Sequence, residues 1–168
     1  MSTVEKYQSL CVIKKVLEKS SMIAITQVEK EIWNTAYEAT QLTINNRYFK
    51  SRLAHKTPKK AGYFVSIWQK NDLNQNIPFS HNDMWDQLIV NIIDNSKQGQ
   101  FVFPKKLLVE KGIISSTHLP GKLAFRVYPT WEEHLNLKAI QTQKWQCPYF
   151  IDLSDEPHIK VIEKLYLQ

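Results

Sequence analysis

The sequence predicts an α/β fold: a single mixed sheet of about five strands flanked by helices. Apolar runs with strand character alternate with segments whose apolar residues recur every three or four positions. The chain has 168 residues, of which 43% are hydrophobic, and it contains no repeat, low-complexity tract or linker. That length can bury about two thirds of the surface that the unfolded chain exposes. We therefore expect one domain that spans residues 1–168.

The first part of the chain predicts two helices followed by two strands. Apolar residues at helical spacing predict a first helix over residues 4–19, and a second is expected to begin at Thr26 or Gln27 and to continue to Ala39. Asn45 and Asn46 indicate a turn. Alternating side chains then predict a strand on each side of Thr57-Pro58, where the proline bends the chain.

The second part predicts three more strands and two or three helices. The run LIVNII, residues 88–93, is apolar on both faces except at Asn91, as in a central strand. Strands are also expected at residues 100–103 and 123–128. Pro104 and Gly112 mark the start and end of a predicted helix. Thr130 and Glu133 have the spacing of a capping box, which predicts a helix through about residue 146. The residues after 150 permit a short terminal helix.

Basic residues concentrate between residues 47 and 70, a segment that we call the basic ribbon. It holds seven Lys or Arg residues and no Asp or Glu, whereas the formal net charge of the whole chain is +6. Because arginine offers a planar fork that matches phosphate and like charges on one strand face repel each other, the pattern favours an anionic partner. The predicted nucleic-acid-binding residues of the ribbon are Arg47, Lys50, Arg52, Lys56, Lys59, Lys60, Trp68 and Lys70.

Trp68 is included because it alternates with Ser66 and Lys70 on the less apolar face of its strand, where it could stack on a base. Two residues outside the ribbon complete the predicted site. Lys105 follows Pro104 at a helix start, where free N–H groups and a lysine suit a phosphate. Arg126 interrupts an apolar strand, so it is expected either to pair with a buried carboxylate such as Asp86 or to point into the site.

Several classes of protein are excluded by the sequence. No P-loop, dinucleotide fingerprint or nucleophile elbow occurs, and the five histidines lack zinc spacing. No apolar run is long enough to span a membrane. Two cysteines are too few for a disulfide framework, so a reducing cytoplasm is expected.

Four blocks of sequence resemble the MepB family of bacterial proteins: SRLAHKTPKKAGYFVSIWQKN, GQFVFPKKLL, GKLAFRVYPTW and AIQTQKWQCPYF, with a DxxD stretch between the first two. They occur in the family's order and cover roughly residues 47–150. The resemblance implies a restriction-endonuclease-like α/β core. Fold does not fix function, but that grouping adds weight to a nucleic-acid partner.

The set of acidic residues that a nuclease of that fold needs is incomplete in this sequence. Such enzymes need a carboxylate at one strand and an acid-x-lysine on the next, so that carboxylates hold Mg²⁺. Asp86 could supply the first acid, and Glu38 an extra ligand, but the strand that leads to Lys105 contains no acid. Asp83 and Asp86 are otherwise ordinary surface carboxylates and caps.

The sequence therefore predicts a cytoplasmic protein that binds DNA or RNA through its phosphate backbone, without catalysis, cofactor or metal. The first alternative is a divergent Mg²⁺-dependent nuclease that uses Asp86. The second is an interaction protein whose basic face docks on an acidic protein or membrane surface.

Overall fold

The computed structural model describes residues 6–168. Within that range it contains four α-helices: Gln8–Leu17 (α1), Lys105–Glu110 (α2), Leu137–Gln146 (α3) and Ile159–Tyr166 (α4). The strands are Ile25–Lys30 (β1), Thr40–Ile44 (β2), Arg47–Leu53 (β3), His55–Thr57 (β4), Lys60–Ser66 (β5), Trp68–Lys70 (β6), Asn76–Pro78 (β7), Gln87–Asp94 (β8), Lys97–Pro104 (β9), Ala124–Val127 (β10) and Phe150–Asp152 (β11).

The largest sheet has six strands in the order β1-β2-β3-β8-β9-β11, of which only β3 and β8 are parallel neighbours. The predicted α/β class with a mixed sheet is confirmed, but the predicted number of about five strands is wrong. Two of the predicted strands, β5 and β10, lie with β4 in a separate three-stranded sheet, and β6 pairs with β7 in a hairpin. We call the three-stranded unit the small sheet.

The predicted second helix is wrong, since its residues form most of β1, a short 3-10 turn and the residues that lead into β2. β-Branched residues are frequent in this segment, and they favour strands. The burial of β2 alternates strictly along the strand, which is the strand period. Asn45 and Asn46, both with positive φ, form the two-residue turn that joins β2 to β3.

Each face of the large sheet carries its own core. Helices α1 and α4 cover one face, where Leu42, Phe49 and Ile89 are fully buried. The small sheet and helix α2 cover the other face, where Trp145 of α3 packs against the core that includes Phe103. The central strands of the large sheet are therefore buried on both sides, and β8, predicted as a central strand, lies among them.

A chain of buried polar side chains crosses the face beneath α4. The hydroxyl of Tyr166 donates to Oε1 of Gln100 at 2.5 Å, and Nε2 of Gln100 donates to Oδ1 of Asn91 at 2.8 Å. Nδ2 of Asn91 then donates to Oγ of Ser51 at 3.0 Å. Burial raises the pKa of Tyr166, so its hydroxyl keeps its proton and remains a donor.

The ends of the helices show which sequence signals predicted a helix boundary correctly. Gly112, with φ +72°, follows α2 as predicted. The short terminal helix is present as α4. The predicted start of the first helix, residues 4 and 5, lies outside the described residues. Helix α3 begins at Leu137, because Oδ1 of Asn136 accepts the N–H of Ala139 at 2.9 Å, so the capping box predicted at Thr130 is wrong. No helix between residues 6 and 168 is long and apolar enough to cross a membrane.

Candidate nucleic-acid interface

A concave surface, which we call the basic cleft, lies between the small sheet and α3. Its volume is about 660 Å³, and a shallower hollow along α3 continues from it. Among the residues that the structure describes, no Asp or Glu lines either part. The seven basic side chains that line them are Lys59, Lys60, Lys111, Lys122, Arg126, Lys138 and Lys144.

The turn between β4 and β5 supplies the first wall. Thr57 pairs with Lys60 across it, so Pro58 and Lys59 form a two-residue connection, in which the fixed φ of proline suits the first turn position. Both lysines of this turn are exposed. Their ammonium groups therefore face solvent at the edge of the cleft.

The glycine after this turn brings two strands into close contact. Gly62 has φ +77°, and a Cβ there would lie 2.7 Å from ring carbons of Tyr128. Only glycine suits both the backbone conformation and the ring that packs on it. This contact fixes Tyr128, just after β10, as part of the cleft wall.

Helix α3 forms the opposite wall, and one side chain attaches it to the small sheet. Gln146 is fully buried; its Oε1 accepts the N–H of Tyr128 at 2.8 Å and its Nε2 donates to the carbonyl of Arg126 at 2.9 Å. These bonds continue the hydrogen bonding of β10 at its outer edge.

Arg126 lines the basic cleft, and its role in a nucleic-acid site stays a prediction. Its guanidinium donates to the carbonyl of Ala61 at 3.0 Å and to the hydroxyl of Thr57. The other alternative, a pair with Asp86, is wrong: Asp86 is exposed, and its carboxylate accepts the N–H of Tyr48 at 2.9 Å. Both partners of Arg126 are neutral, so its positive charge is not cancelled by them.

Lys50 and Arg52 lie in a different arrangement. Together with Glu31 they form a group that we call the ion cluster. The side chain of Arg52 is fully buried and lies 2.7 Å from the Glu31 carboxylate, and Nζ of Lys50 lies 2.5 Å from the same carboxylate. Nε of Arg52 also donates to the carbonyl of Ser66. Burial lowers the pKa of Arg52, and Glu31 opposes that shift.

The basic face of β3 was expected to point toward solvent or ligand, and for Lys50 and Arg52 this is wrong. Alternation along the strand does place both on one face, but the small sheet and the ring of Phe79 cover that face. The single carboxylate of Glu31 offsets part of their two positive charges inside the protein. A nucleic-acid role for these two residues therefore has no exposed cation to support it.

The other predicted basic residues are dispersed. Arg47 donates to the carbonyl of Gln168 at 2.6 Å, and Lys56 lies 3.3 Å from the carboxylate of Asp94. Lys105, expected at a phosphate, instead donates to the carbonyl of Asp83 at 2.5 Å. Of the predicted site residues, the structure brings Lys59, Lys60 and Arg126 together in the cleft.

Trp68 is half-buried at the start of the β6–β7 hairpin, whereas its neighbours Val65 and Ile67 are fully buried. The prediction that it lies on the less buried face is confirmed. Nζ of Lys70 lies 5.4 Å from the centre of the Trp68 ring. The backbone carbonyl of Trp68 accepts a hydrogen bond from the side-chain amide of Asn34. Neither Trp68 nor Lys70 lines the basic cleft, so base stacking on Trp68 stays a prediction.

The carboxylates considered as metal ligands cap backbone N–H groups. Glu38 accepts the N–H groups of Gln8 and Ser9 at the start of α1, and Asp83 accepts the N–H of Ser80 at 2.7 Å. Within residues 6–168, no group of three or more His, Cys, Asp or Glu side chains could hold a metal ion.

Four of the cleft lysines were not among the predicted site residues: Lys111, Lys122, Lys138 and Lys144. A signal for them was present. Residues 111–131 and residues 134–151 contain no Asp or Glu, just as the basic ribbon contains none. The residues that line the cleft all come from these three acid-free segments.

Comparison with known proteins gives one family and two solved structures. The model of the MepB-like family matches residues 31–152. The crystal structure of MepB is 43% identical in sequence, with a TM-score of 0.78, and the match covers 89% of this chain and 99% of that one.

A bacterial homing endonuclease matches with 14% identity and a TM-score of 0.47 over 86% of this chain and 91% of its own. At that level of similarity the match indicates neither a function nor a site of this chain. A search of curated proteins gives no match.

Proposed function

This chain belongs to the MepB-like family, and we propose that it binds nucleic acid through the phosphate backbone, at the basic cleft and without catalysis of its own. One observation carries the proposal: seven basic side chains surround a concave surface that no carboxylate lines among the described residues. These seven charges exceed the formal net charge of +6 of the whole chain. A polyanion with regularly spaced charges is the partner that such a surface favours.

The state of each cation supports the same choice. Lys59, Lys60, Lys122 and Lys138 are exposed, so they can reach a phosphate without leaving an internal partner. Arg126 is held by neutral groups and keeps its charge. In the ion cluster, by contrast, Glu31 already neutralises much of the charge, so a phosphate would have to compete with a carboxylate.

The absence of catalysis is proposed on the state of the acids. Asp86, Asp83 and Glu38 each accept backbone N–H groups, and these bonds hold turns and a helix start. We also propose that the large sheet corresponds to the restriction-endonuclease-like core that the family resemblance implies. Both cysteines are free, which supports the proposal that the protein acts in the reducing cytoplasm.

The test is the salt dependence of oligonucleotide binding in the double variant Lys59→Ala/Lys60→Ala. For the native protein we expect log K to fall with log salt by about 0.7 to 0.9 per phosphate neutralised. The double variant should flatten this slope by roughly one to two. Fluorescence anisotropy with a labelled oligonucleotide at several salt concentrations measures it.

The matched control is Lys14→Ala/Lys15→Ala, which removes the same charge from the exposed face of α1 and should leave the slope unchanged. Equal slopes in the two variants would reduce the effect to net charge and contradict the proposal. Polyglutamate serves as competitor: if it displaced the oligonucleotide as well as unlabelled oligonucleotide of equal charge, an acidic protein would be the better partner.

A further inference from the structure

The bottom of the basic cleft differs chemically from its rim. The floor is formed by Phe125, Ala139 and Ile113, whose exposed fractions are 8%, 8% and 3%. Aromatic rings of Tyr128 and Trp145 also line it. An apolar floor contributes nothing to the binding of a phosphate, because the phosphate remains hydrated. Binding of the nucleic-acid phosphate backbone at the rim therefore leaves the floor of the cleft unused.

A planar, weakly polar group is the ligand that such a floor favours. Pockets of about 300 to 1,000 Å³ hold small organic groups, and the cleft has a volume of about 660 Å³. A duplex keeps its bases stacked inside and presents phosphates outside, so it could use only the rim. A single strand can turn a base away from its neighbours and place it on aromatic side chains.

We propose that the basic cleft is a single-strand site, in which one unstacked base occupies the floor while the flanking phosphates contact the rim. This inference rests on the proposed function and narrows its ligand from nucleic acid in general to single strands.

Two features of the walls fit a base in this position. The ring of Tyr128 is packed against Gly62 and is therefore held in place before any ligand arrives, which lowers the entropic cost of binding. Asn136 caps α3 with its Oδ1 alone, so its amide N–H₂ group remains a donor for the edge of a base.

The first experiment compares three labelled ligands with the same number of phosphates per strand: a single strand of mixed sequence, an abasic strand and a duplex. At one salt concentration, the base-bearing strand should bind the native protein about tenfold or more tightly than the abasic strand, as expected for base–aromatic stacking. It should also bind more tightly than the duplex. Equal affinity for base-bearing and abasic strands would overturn the inference.

The second experiment fills the floor without changing any charge. Thr142 is half-buried on α3 and lines the cleft, and its hydroxyl bonds only to the carbonyl of Lys138 within the helix. In Thr142→Leu the preference for the base-bearing strand should fall by about tenfold, while the salt slope stays the same. Thr26→Leu, the same change at an exposed position of β1, should leave the preference intact.

The two proposals fail differently. If the cleft binds phosphates alone, the base-bearing, abasic and duplex ligands will bind alike and all will respond to Lys59→Ala/Lys60→Ala. If the cleft is not a nucleic-acid site, no ligand will distinguish that variant from Lys14→Ala/Lys15→Ala. Retention of the base preference in a folded Thr142→Leu variant, judged by its thermal unfolding, would place the base outside the cleft and contradict the inference.

Discussion

The ion cluster and the basic cleft both contain cations from the basic ribbon, yet they treat positive charge in opposite ways. In the ion cluster, Arg52 is fully buried and shares a carboxylate with Lys50. In the cleft, Lys59 and Lys60 are exposed and no carboxylate lines the same surface among the described residues. Burying a cation is costly unless a counter-charge is buried with it. An exposed cation that has no counter-charge is available to a ligand. A basic segment of sequence is therefore not in itself a binding site.

The largest effect is expected when the ion cluster loses its carboxylate. Glu31→Gln leaves Arg52 buried without a full counter-charge, so the free energy of unfolding should fall by about 3 to 5 kcal/mol. Urea unfolding measures this. Oligonucleotide binding by the folded protein should not change, because the cations of the cluster face the interior.

The control for this change is Glu29→Gln, an exposed carboxylate on β1, which should alter stability by less than about 0.5 kcal/mol. A contrary result would be a Glu31→Gln protein that is as stable as the native one and binds oligonucleotides more tightly. In that case Lys50 and Arg52 would belong to the binding site, and Glu31 would inhibit it.

A smaller effect is expected when the cleft receives a carboxylate. Lys138→Glu gives the cleft the feature that distinguishes the ion cluster, and it should weaken oligonucleotide binding by about tenfold and flatten the salt slope. Stability should be unchanged or slightly higher, because residue 138 lies in the first turn of α3, where a negative charge is favourable. Anisotropy titrations and thermal unfolding give the two values.

Lys160→Glu, the same change at an exposed position of α4, should preserve most of the affinity. If the two charge reversals weakened binding equally, the cleft would have no advantage over the rest of the surface.

The smallest effect concerns Lys56, a ribbon cation outside both regions. Its partner Asp94 accepts a hydrogen bond from the hydroxyl of Tyr63 at 2.7 Å, and this bond, with help from Lys56, holds the pKa of Asp94 below its ordinary value of 3.8. A lowered pKa stabilises the fold above the ordinary value, and the contribution disappears as the pH falls through the folded-state pKa. Asp94→Asn should therefore cost about 1 kcal/mol at neutral pH and progressively less in acid.

Urea unfolding of both proteins at several pH values tests this, and Tyr63→Phe completes a double-mutant cycle. A difference between Asp94→Asn and the native protein that stayed constant down to the most acidic pH would show that the carboxylate charge contributes nothing. Additive effects of the two substitutions would exclude the Tyr63 hydrogen bond as the cause.

Local patterns were sufficient for the elements whose burial is simple. The apolar run of β8 and the glycine after α2 predicted a central strand and a helix end, and both are present. The second helix was predicted wrongly because the helical spacing of a few residues was given more weight than their β-branched side chains, which favour a strand. The start of α3 was misplaced because two signals, Thr130 and Asn136, both suit a helix start, and packing chose the second.

The residues that line the basic cleft were predicted in part for a similar reason. The sequence identified Lys59, Lys60 and Arg126, whose exposure or position depends on a local turn and on the strand beside it. It could not show that Lys50 and Arg52 are covered, because their partner Glu31 directly follows β1, which lies two strands away from β3 in the large sheet. Which face of a strand receives a second layer is a tertiary property, and alternation of side chains carries no information about it.

The polar chain beneath α4 has a consequence for the synthesis of the protein. Asn91 and Gln100 lie in β8 and β9, but the hydroxyl that completes their hydrogen bonds belongs to Tyr166, 66 residues after Gln100. Until Tyr166 has been synthesised and α4 has packed, Oε1 of Gln100 lacks this donor, and burying it unpaired would be costly. We therefore expect water to reach this point on the face of the large sheet until the last helix docks.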